Sequence, residues 1–280
     1  MYWFLKSKTA YLNSLGRGAT FKEISKSIVE NIEILVPDLA AQKKIASILE
    51  KLQTILHLRR SQLSSLDTLV KARFVEMFGD PASNNKGWPI KSLGTLCAVG
   101  SSKRIYQNEQ CSSGVPFWRI SDLIEKINTG KTNCALFISK AQYKDLKDAG
   151  FVPVAGDILI TSRGTLGRCY EVKPEDQFYF QDGMISWLSH YTNGITPLYL
   201  QYLFAMPGFR KQLNHLQAGS TVAYLSIAML KQLLIMVPSA KVQKDFLAFV
   251  SRVEQAKTSI RQALTETQTL FDSLMQEYFG

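Results

Sequence analysis

The sequence predicts an α+β chain with one strand-rich domain and two long helices that form a helical hairpin or coiled coil. Three observations carry this. Residues 18–79 and 219–280 align without a gap at an offset of about 201 residues, which puts Gly18 on Gly219, Thr20 on Thr221, Val36-Pro37 on Val237-Pro238, Gln42-Lys43 on Gln243-Lys244 and Phe78-Gly79 on Phe279-Gly280. So long a period marks a two-unit design, because solenoid repeats run only about 20–50 residues. Each copy contains a helical apolar stripe of some 40 residues, and the stretch between the copies reads as short strands and turns.

Residues 1–36 are apolar-rich and begin without a turn signal or cap, and Tyr2-Trp3-Phe4-Leu5 resembles Tyr202-Leu203-Phe204-Ala205. The segment is expected to be the tail of a domain whose body lies outside this sequence. Ile32–Val36 and Leu233–Val237 read as equivalent short strands, each stopped by proline. After Pro37 a helix is expected over 37–79, about 60 Å long at 1.5 Å per residue. Its stripe runs Ile45, Ile48, Leu52, Ile55, Leu63, Leu66, Val70 and Met77, with an interruption at Arg59-Arg60 that reads as a stutter.

Asp80–Pro89 ends that helix and opens a domain over 80–237. A twisted, mainly antiparallel sheet is expected there, with helices near Lys140–Ala149 and Pro197–Gln217. A second helix over 238–280 carries Val242, Phe246, Phe249, Val253, Ala256, Ile260, Ala263, Leu270 and Leu274 in alternating steps of four and three, with Thr267 the polar intruder. A short stripe would pack on a globular core. One this long, occurring twice, is better served by another helix.

The chain is long enough to bury a core without disulfide or metal staples. Its formal net charge is +10 and its pI near 9.4. The excess is shared by residues 1–79 and 80–236, about +5 each, and 237–280 is near neutral. A basic balance fits nucleic acid without establishing it. Cys97, Cys111, Cys134 and Cys169 show no metal-ligand spacing and read as idle thiols of a reducing cytosol. Neither a signal peptide nor an apolar run long enough to span a bilayer is present, so a cytoplasmic chain with no membrane partner is expected.

Catalysis finds little support. Gly130-Lys131-Thr132 would end a phosphate loop, but Glu125 stands where the leading glycine belongs. There is no Pro-Pro dipeptide, so the Asn-Pro-Pro-aromatic signature of an adenine methyltransferase is absent. His57, His190 and His215 are isolated, and Asp145-Leu146-Lys147 reads as a solvated helical face. No metal site and no cofactor site are expected.

Binding finds more. Phosphates call for cations, and base edges for forked or amide side chains on loops and helix ends. Ser101-Ser102-Lys103-Arg104 follows a glycine in an expected loop. Thr161–Arg168 follows a strand, and its glycines let backbone N–H groups approach a phosphate. Arg163 and Arg168 are the leading candidates, with Ser162 and Thr165 as supporting donors. The alternative is a surface turn with two solvated arginines. Trp118 reads as core, and Arg119 as either a buried ion pair or a contact. Gln181-Asp182-Gly183 and Gln217–Thr221 are polar turns that could face a groove, and Arg210 and Lys211 either hold phosphates or are solvated.

These blocks together resemble the DNA-specificity subunit of type I restriction-modification enzymes, over essentially the whole chain. The carrying residues are Val36 to Lys43 at the start of a long helix, Phe74 to Pro81 with Gly87-Trp88-Pro89 at its exit, Val115 to Asp122, Gly156 to Ile160, Gly164 to Gly167 and Gly219-Ser220-Thr221. The resemblance implies two spacer helices paired antiparallel and target-recognition domains that read half-sites. It implies double-stranded DNA, methyltransferase subunits and a translocating restriction nuclease subunit as partners. S-adenosylmethionine, Mg and ATP would belong to those partners. On that resemblance one recognition domain is expected to be complete and the first reduced to residues 1–36, as in a half-subunit. A homodimer reading a symmetric target is then expected. The competing readings are an interaction scaffold or inactive remnant that does not bind DNA specifically, and a nuclease with an unrecognised metal site.

Overall fold

A computed structural model describes residues 1–16, 23–192, 194–215 and 224–280. In chain order it begins with α1 (Tyr2–Ser7), α2 (Thr9–Leu15), α3 (Lys26–Glu30) and the long α4 (Leu39–Phe78). There follow β1 (Ile90–Ser92), α5 (Leu93–Leu96), β2 (Ala98–Gly100), β3 (Val115–Trp118), α6 (Ile120–Thr129), β4 (Phe137–Ile138) and α7 (Lys140–Asp148). Then come β5 (Ile158–Thr161), β6 (Cys169–Glu171), β7 (Tyr179–Phe180), β8 (Ile185–Ser189), α8 (Pro197–Ala205), α9 (Pro207–His215), α10 (Ile227–Gln232), β9 (Leu234–Met236) and α11 (Ala240–Phe279). Two compact units result, 1–69 with 252–280, and 70–251.

In the first unit α4 and α11 run antiparallel. Arg60 Nη2 donates to Gln268 Oε1 (3.2 Å) and Lys257 Nζ meets Asp67 Oδ1 (2.6 Å), so position rises on one helix as it falls on the other. Leu49, Leu56 and Phe271 are buried between the helices with Trp3 of α1, and Ile45, Leu52, Leu264 and Leu274 pack against them. Each such side chain contributes roughly 1.5–3 kcal/mol when fully buried. Shielded residues step 45, 49, 52, 56, 59, 63, 66 along α4 and 253, 257, 260, 264, 267, 271, 274, 278 along α11. Both series alternate fours and threes, the knobs-into-holes pattern.

Two expectations are corrected here. There is no stutter at Arg59-Arg60. Arg59 holds a seam position, with Nη1 buried and unpartnered among the described residues, beside a groove lined by Leu58, Ile260 and Ala263. The seam is also one residue out of phase with the expected stripe in places. Leu49, Leu56 and Phe271 fill it, while Ile55 and Leu270 face outward at 39% and 50% exposure. Ile48, Leu63, Leu66 and Ile260 are half-buried, and Val253 is buried.

On α11 a cation, Lys257, holds the seam position that the apolar stripe assigned to exposed Ala256. Its Nζ bonds Asp67 (2.6 Å) and Glu254 (2.7 Å). Burial pulls its pKa down, but the hydrogen bonds and charges of Glu254 and Asp67 outweigh that and hold it above the usual lysine value.

In the second unit the end of α4 meets the start of α11 through aromatic rings. Phe78 lies 4.8 Å from Tyr199 and 5.1 Å from Phe246, and Phe74 stacks on Tyr199 at 5.6 Å. Val70 and Phe246 are buried, and Phe249 is half-buried beneath Arg73. Gly79, at φ +84°, turns the chain out of α4, and Trp88 Nε1 donates to the freed Phe78 carbonyl (2.9 Å).

Among the described residues the strands are mainly antiparallel but form three small sheets rather than one. The orders are β1-β9, β2-β8-β5-β6 and β4-β3-β7, and among the described residues only β3–β7 is parallel. None exceeds five residues, too short to knit the domain into a single ladder. The helix expected over Pro197–Gln217 breaks into α8 and α9, because Pro207 lacks an N–H and drives Met206 to ψ 136°. Helix α6 was not anticipated; Asp122 accepts the Arg119 N–H (2.8 Å) at its start and left-handed Gly130 ends it. The strand expected at Ile32–Val36 does not form, since no described segment pairs with it.

Candidate nucleic-acid interface

Five loop segments of the second unit are stapled together around the turn 181–184, which joins β7 to β8. Gln181 N–H donates to the Trp118 carbonyl (2.9 Å), and Ser162 N–H donates to the Met184 carbonyl (2.8 Å). Ser101 Oγ donates to the Ile185 carbonyl (3.0 Å), and Ser102 Oγ to the Phe180 carbonyl (2.7 Å). Leu225 N–H donates to the Ser162 carbonyl (2.9 Å). Segments 101–104, 118–119, 162–163 and 224–225 thus share one hub, and Gly183 supplies its left-handed bend at φ +68°.

The hub carries four exposed cations. Lys103 is fixed by its backbone: its N–H donates to Tyr179 Oη (2.8 Å), and its carbonyl accepts from the same hydroxyl (3.0 Å). Burial pushes the Tyr179 hydroxyl up to about 12, so it stays protonated and able to donate. Arg104 Nε donates to Asp182 Oδ2 (2.8 Å). Arg119 does not form the buried ion pair left open above. Asp122 caps α6, and the guanidinium stays exposed with Nε 3.7 Å from that carboxylate. Arg163 is exposed with its guanidinium carbon 4.9 Å from the centre of the Tyr224 ring.

Ser162 is corrected. It is 1% exposed, and its Oγ shares a 2.6 Å hydrogen bond with Ser186 Oγ, so it braces the loop rather than offering a donor to solvent. Thr165 is exposed at the loop tip, where its carbonyl accepts the Thr161 hydroxyl. Arg168 stands apart from the hub, half-buried, with Nη2 donating to Asn128 Oδ1 (2.8 Å) at the end of α6. Gly167, at φ +67°, adopts a backbone conformation that other residues rarely take, and a Cβ there would also push on Leu213 Cδ1 at 2.6 Å. Arg210 Nη1 donates to the Leu166 carbonyl (3.1 Å), so it braces this loop from α9, and Lys211 is exposed. The turn Gln217–Thr221 lies outside the described residues.

The arrangement concentrates positive charge on preorganised loops, with Asp182 and Asp122 as the adjoining carboxylates. That suits phosphate attraction, and the guanidinium forks suit base edges. Among the described residues no group of three or more His, Cys, Asp or Glu is placed to hold a metal ion. Burial pushes the Cys97 and Cys169 thiols up to about 12, so neither is a thiolate near neutral pH. Asp145 and Lys147 are exposed on α7. No described helix is long and apolar enough to cross a membrane.

Sequence reasoning missed Tyr224 and Asn128, which set the direction of Arg163 and Arg168. No local signal marks them, because each meets its arginine only through the fold.

A family model for the type I restriction modification DNA specificity domain matches residues 1–66 and 85–267. The chain belongs to that family. This specificity-family chain is 26% identical over 250 residues to the putative type I restriction enzyme specificity subunit S.HindORF215P of Haemophilus influenzae, covering 86% of this chain and 61% of that protein. It is 24% identical over 263 residues to the type I restriction enzyme MjaVIII specificity subunit of Methanocaldococcus jannaschii, covering 87% and 60%. It therefore spans about three-fifths of the length of these relatives. The crystal structure of a type I restriction-modification S subunit from M. genitalium superposes with TM-score 0.61 at 18% identity, over 100% of this chain and 71% of that one. A chain from a study of complex assembly and conformational transition of the type I R-M system gives TM-score 0.61 at 17% identity, over 99% and 68%. At such identities these likenesses concern the fold.

Proposed function

We propose that this specificity-family chain binds double-stranded DNA sequence-specifically and reads one half-site through the loops 101–104, 118–119, 162–168 and 181–184. The observation that carries the reading is the hub itself, which holds Lys103, Arg104, Arg119 and Arg163 exposed on a hydrogen-bonded frame. The paired helices would seat methyltransferase and restriction subunits, which would bind S-adenosylmethionine, Mg and ATP, and the chain itself would carry no catalytic group and act in the cytoplasm. A homodimer would read a symmetric target; a strictly monomeric chain in light scattering would exclude that part alone.

The test is duplex binding by the full chain across a salt series. Three phosphate contacts, from Lys103, Arg104 and Arg119, predict a slope of log K against log salt near −2.7, at about −0.9 per phosphate. Lys103→Ala should flatten it by about 1 and leave sequence preference unchanged. A chain with no salt-dependent affinity for any duplex, alone or with a methyltransferase subunit, is a scaffold instead.

A further inference from the structure

We infer that Arg163 and Tyr224 form one guanine-reading unit, in which Arg163 makes the base contact and Tyr224 is its positioning residue. The inference rests on the DNA reading above and names the base chemistry of that site.

The backbone beneath Arg163 is held from several sides. Residues 163 and 224 pair as an antiparallel bridge, and Leu225 N–H donates to the Ser162 carbonyl (2.9 Å). On the other side Ser162 N–H donates to the Met184 carbonyl (2.8 Å), and the Ser162 hydroxyl is locked to Ser186 at 2.6 Å. Gly164 turns the chain away at φ +66° directly after it. The Cα of Arg163 is therefore placed by this bridge and by the bonds of Ser162 rather than by a free loop.

The side chain is placed by the ring. A guanidinium 4.9 Å from the Tyr224 centroid is attracted to the π-face, and that attraction consumes none of its in-plane N–H donors. Of the other arginines, Arg104 spends its Nε–H on Asp182 and Arg168 an Nη2–H on Asn128. Arg119 also keeps its donors, but its Nε lies 3.7 Å from the Asp122 carboxylate and no described aromatic ring directs it. No described residue accepts a hydrogen bond from the Arg163 guanidinium. A planar fork with its donors open and its direction fixed matches the two adjacent acceptors N7 and O6 of guanine in the major groove. Holding the flexible stem in place before binding lowers the ordering cost of that contact.

The experiment is selection from a randomised duplex pool with the full chain, repeated for Arg163→Gln, Tyr224→Leu and Tyr224→Phe. Wild type should enrich a motif with guanine at one position that Arg163→Gln alone relaxes, by roughly tenfold to a hundredfold. Tyr224→Leu should weaken preference at that same position by about two- to fivefold, with the salt slope unchanged, while Tyr224→Phe keeps it, since a phenyl face also attracts a cation. Replacing that guanine by 7-deazaguanine should weaken wild type and leave Arg163→Gln unaffected. The inference fails if the position sensitive to Arg163 is not guanine, if Tyr224→Leu keeps full preference, or if its loss spreads evenly over the motif. A wild-type chain that enriches no motif sinks the DNA reading as well, so the two failures are distinguishable.

Discussion

Residues 32–36 and 233–237 occupy the same place in the internal repeat and meet opposite fates. In the later copy β9 pairs with β1 in the register Ile90↔Met236, and Ile235 and Met236 are 0% and 4% exposed. In the earlier copy their equivalents Ile34 and Leu35 are half-buried and 96% exposed, and no strand forms. The difference teaches that a short apolar run is only half of a strand; the other half is the partner that completes its ladder.

The helix start that follows is common to both copies. Gln42 Nε2 donates to the Pro37 carbonyl (2.7 Å), and Gln243 Nε2 donates to the Pro238 carbonyl (2.8 Å). This bond explains the shared Val-Pro-x-x-x-x-Gln pattern, which satisfies a carbonyl just before the helix. Only Gln243 goes further, donating to Gly194 and accepting from Thr196.

The sharpest way to break this comparison is at the helix contacts. Phe246→Ala should cost about 3–5 kcal/mol, since Phe246 is 1% exposed against Phe74 and Phe78. The repeat-equivalent Ile45→Ala, at a half-buried site, should cost about 1–2 kcal/mol. Denaturant melts of both variants would check the ratio, and equal losses would contradict the account. Next, Met236→Ala should cost about 2–3 kcal/mol and Leu35→Ala no more than about 0.5. Thermal melts should show the first shift and barely register the second.

Gln243→Ala should cost about 2 kcal/mol by leaving Thr196 and Gly194 unsatisfied, against about 0.5 for exposed Gln42→Ala. Hydrogen exchange at the Thr196 amide would report the loss directly. A small effect is also expected at Lys257. Its folded pKa is raised, so its contribution is fully present below the unfolded lysine value, about 10.4, and is lost as pH climbs through the folded value. Lys257→Met, which keeps the volume and leaves exposed partners to water, should change stability by less than about 1 kcal/mol and flatten that alkaline decline.

What was legible in the sequence divides along the same line between local and non-local causes. The two 40-residue helices, their proline starts and the Gly79 exit are local, and the structure bounds them at 39–78 and 240–279. At Ile48/Leu49, Ile55/Leu56 and Leu270/Phe271 two apolar neighbours compete for the seam and only the packed partner helix decides, while the burial of Lys257 depends on Asp67 from the other helix. Strand 32–36, the division into three sheets and the burial of Ser162 depend on partners distant in sequence. In the loops, residue types pointed to Lys103, Arg104, Arg119, Arg163 and Arg168. Which of them keep open donors is decided by Asp182, Asp122, Asn128 and Tyr224, which the fold delivers.

The most direct measurement is a map of methylated adenines in DNA from cells co-expressing this chain, or its Arg163→Ala variant, with a type I methyltransferase subunit. The account predicts a defined motif for the unaltered chain, symmetric and two-part if it acts as a dimer, and relaxed preference at one position in the variant. A complex that forms but methylates no motif, or a variant that returns the identical motif, would contradict it.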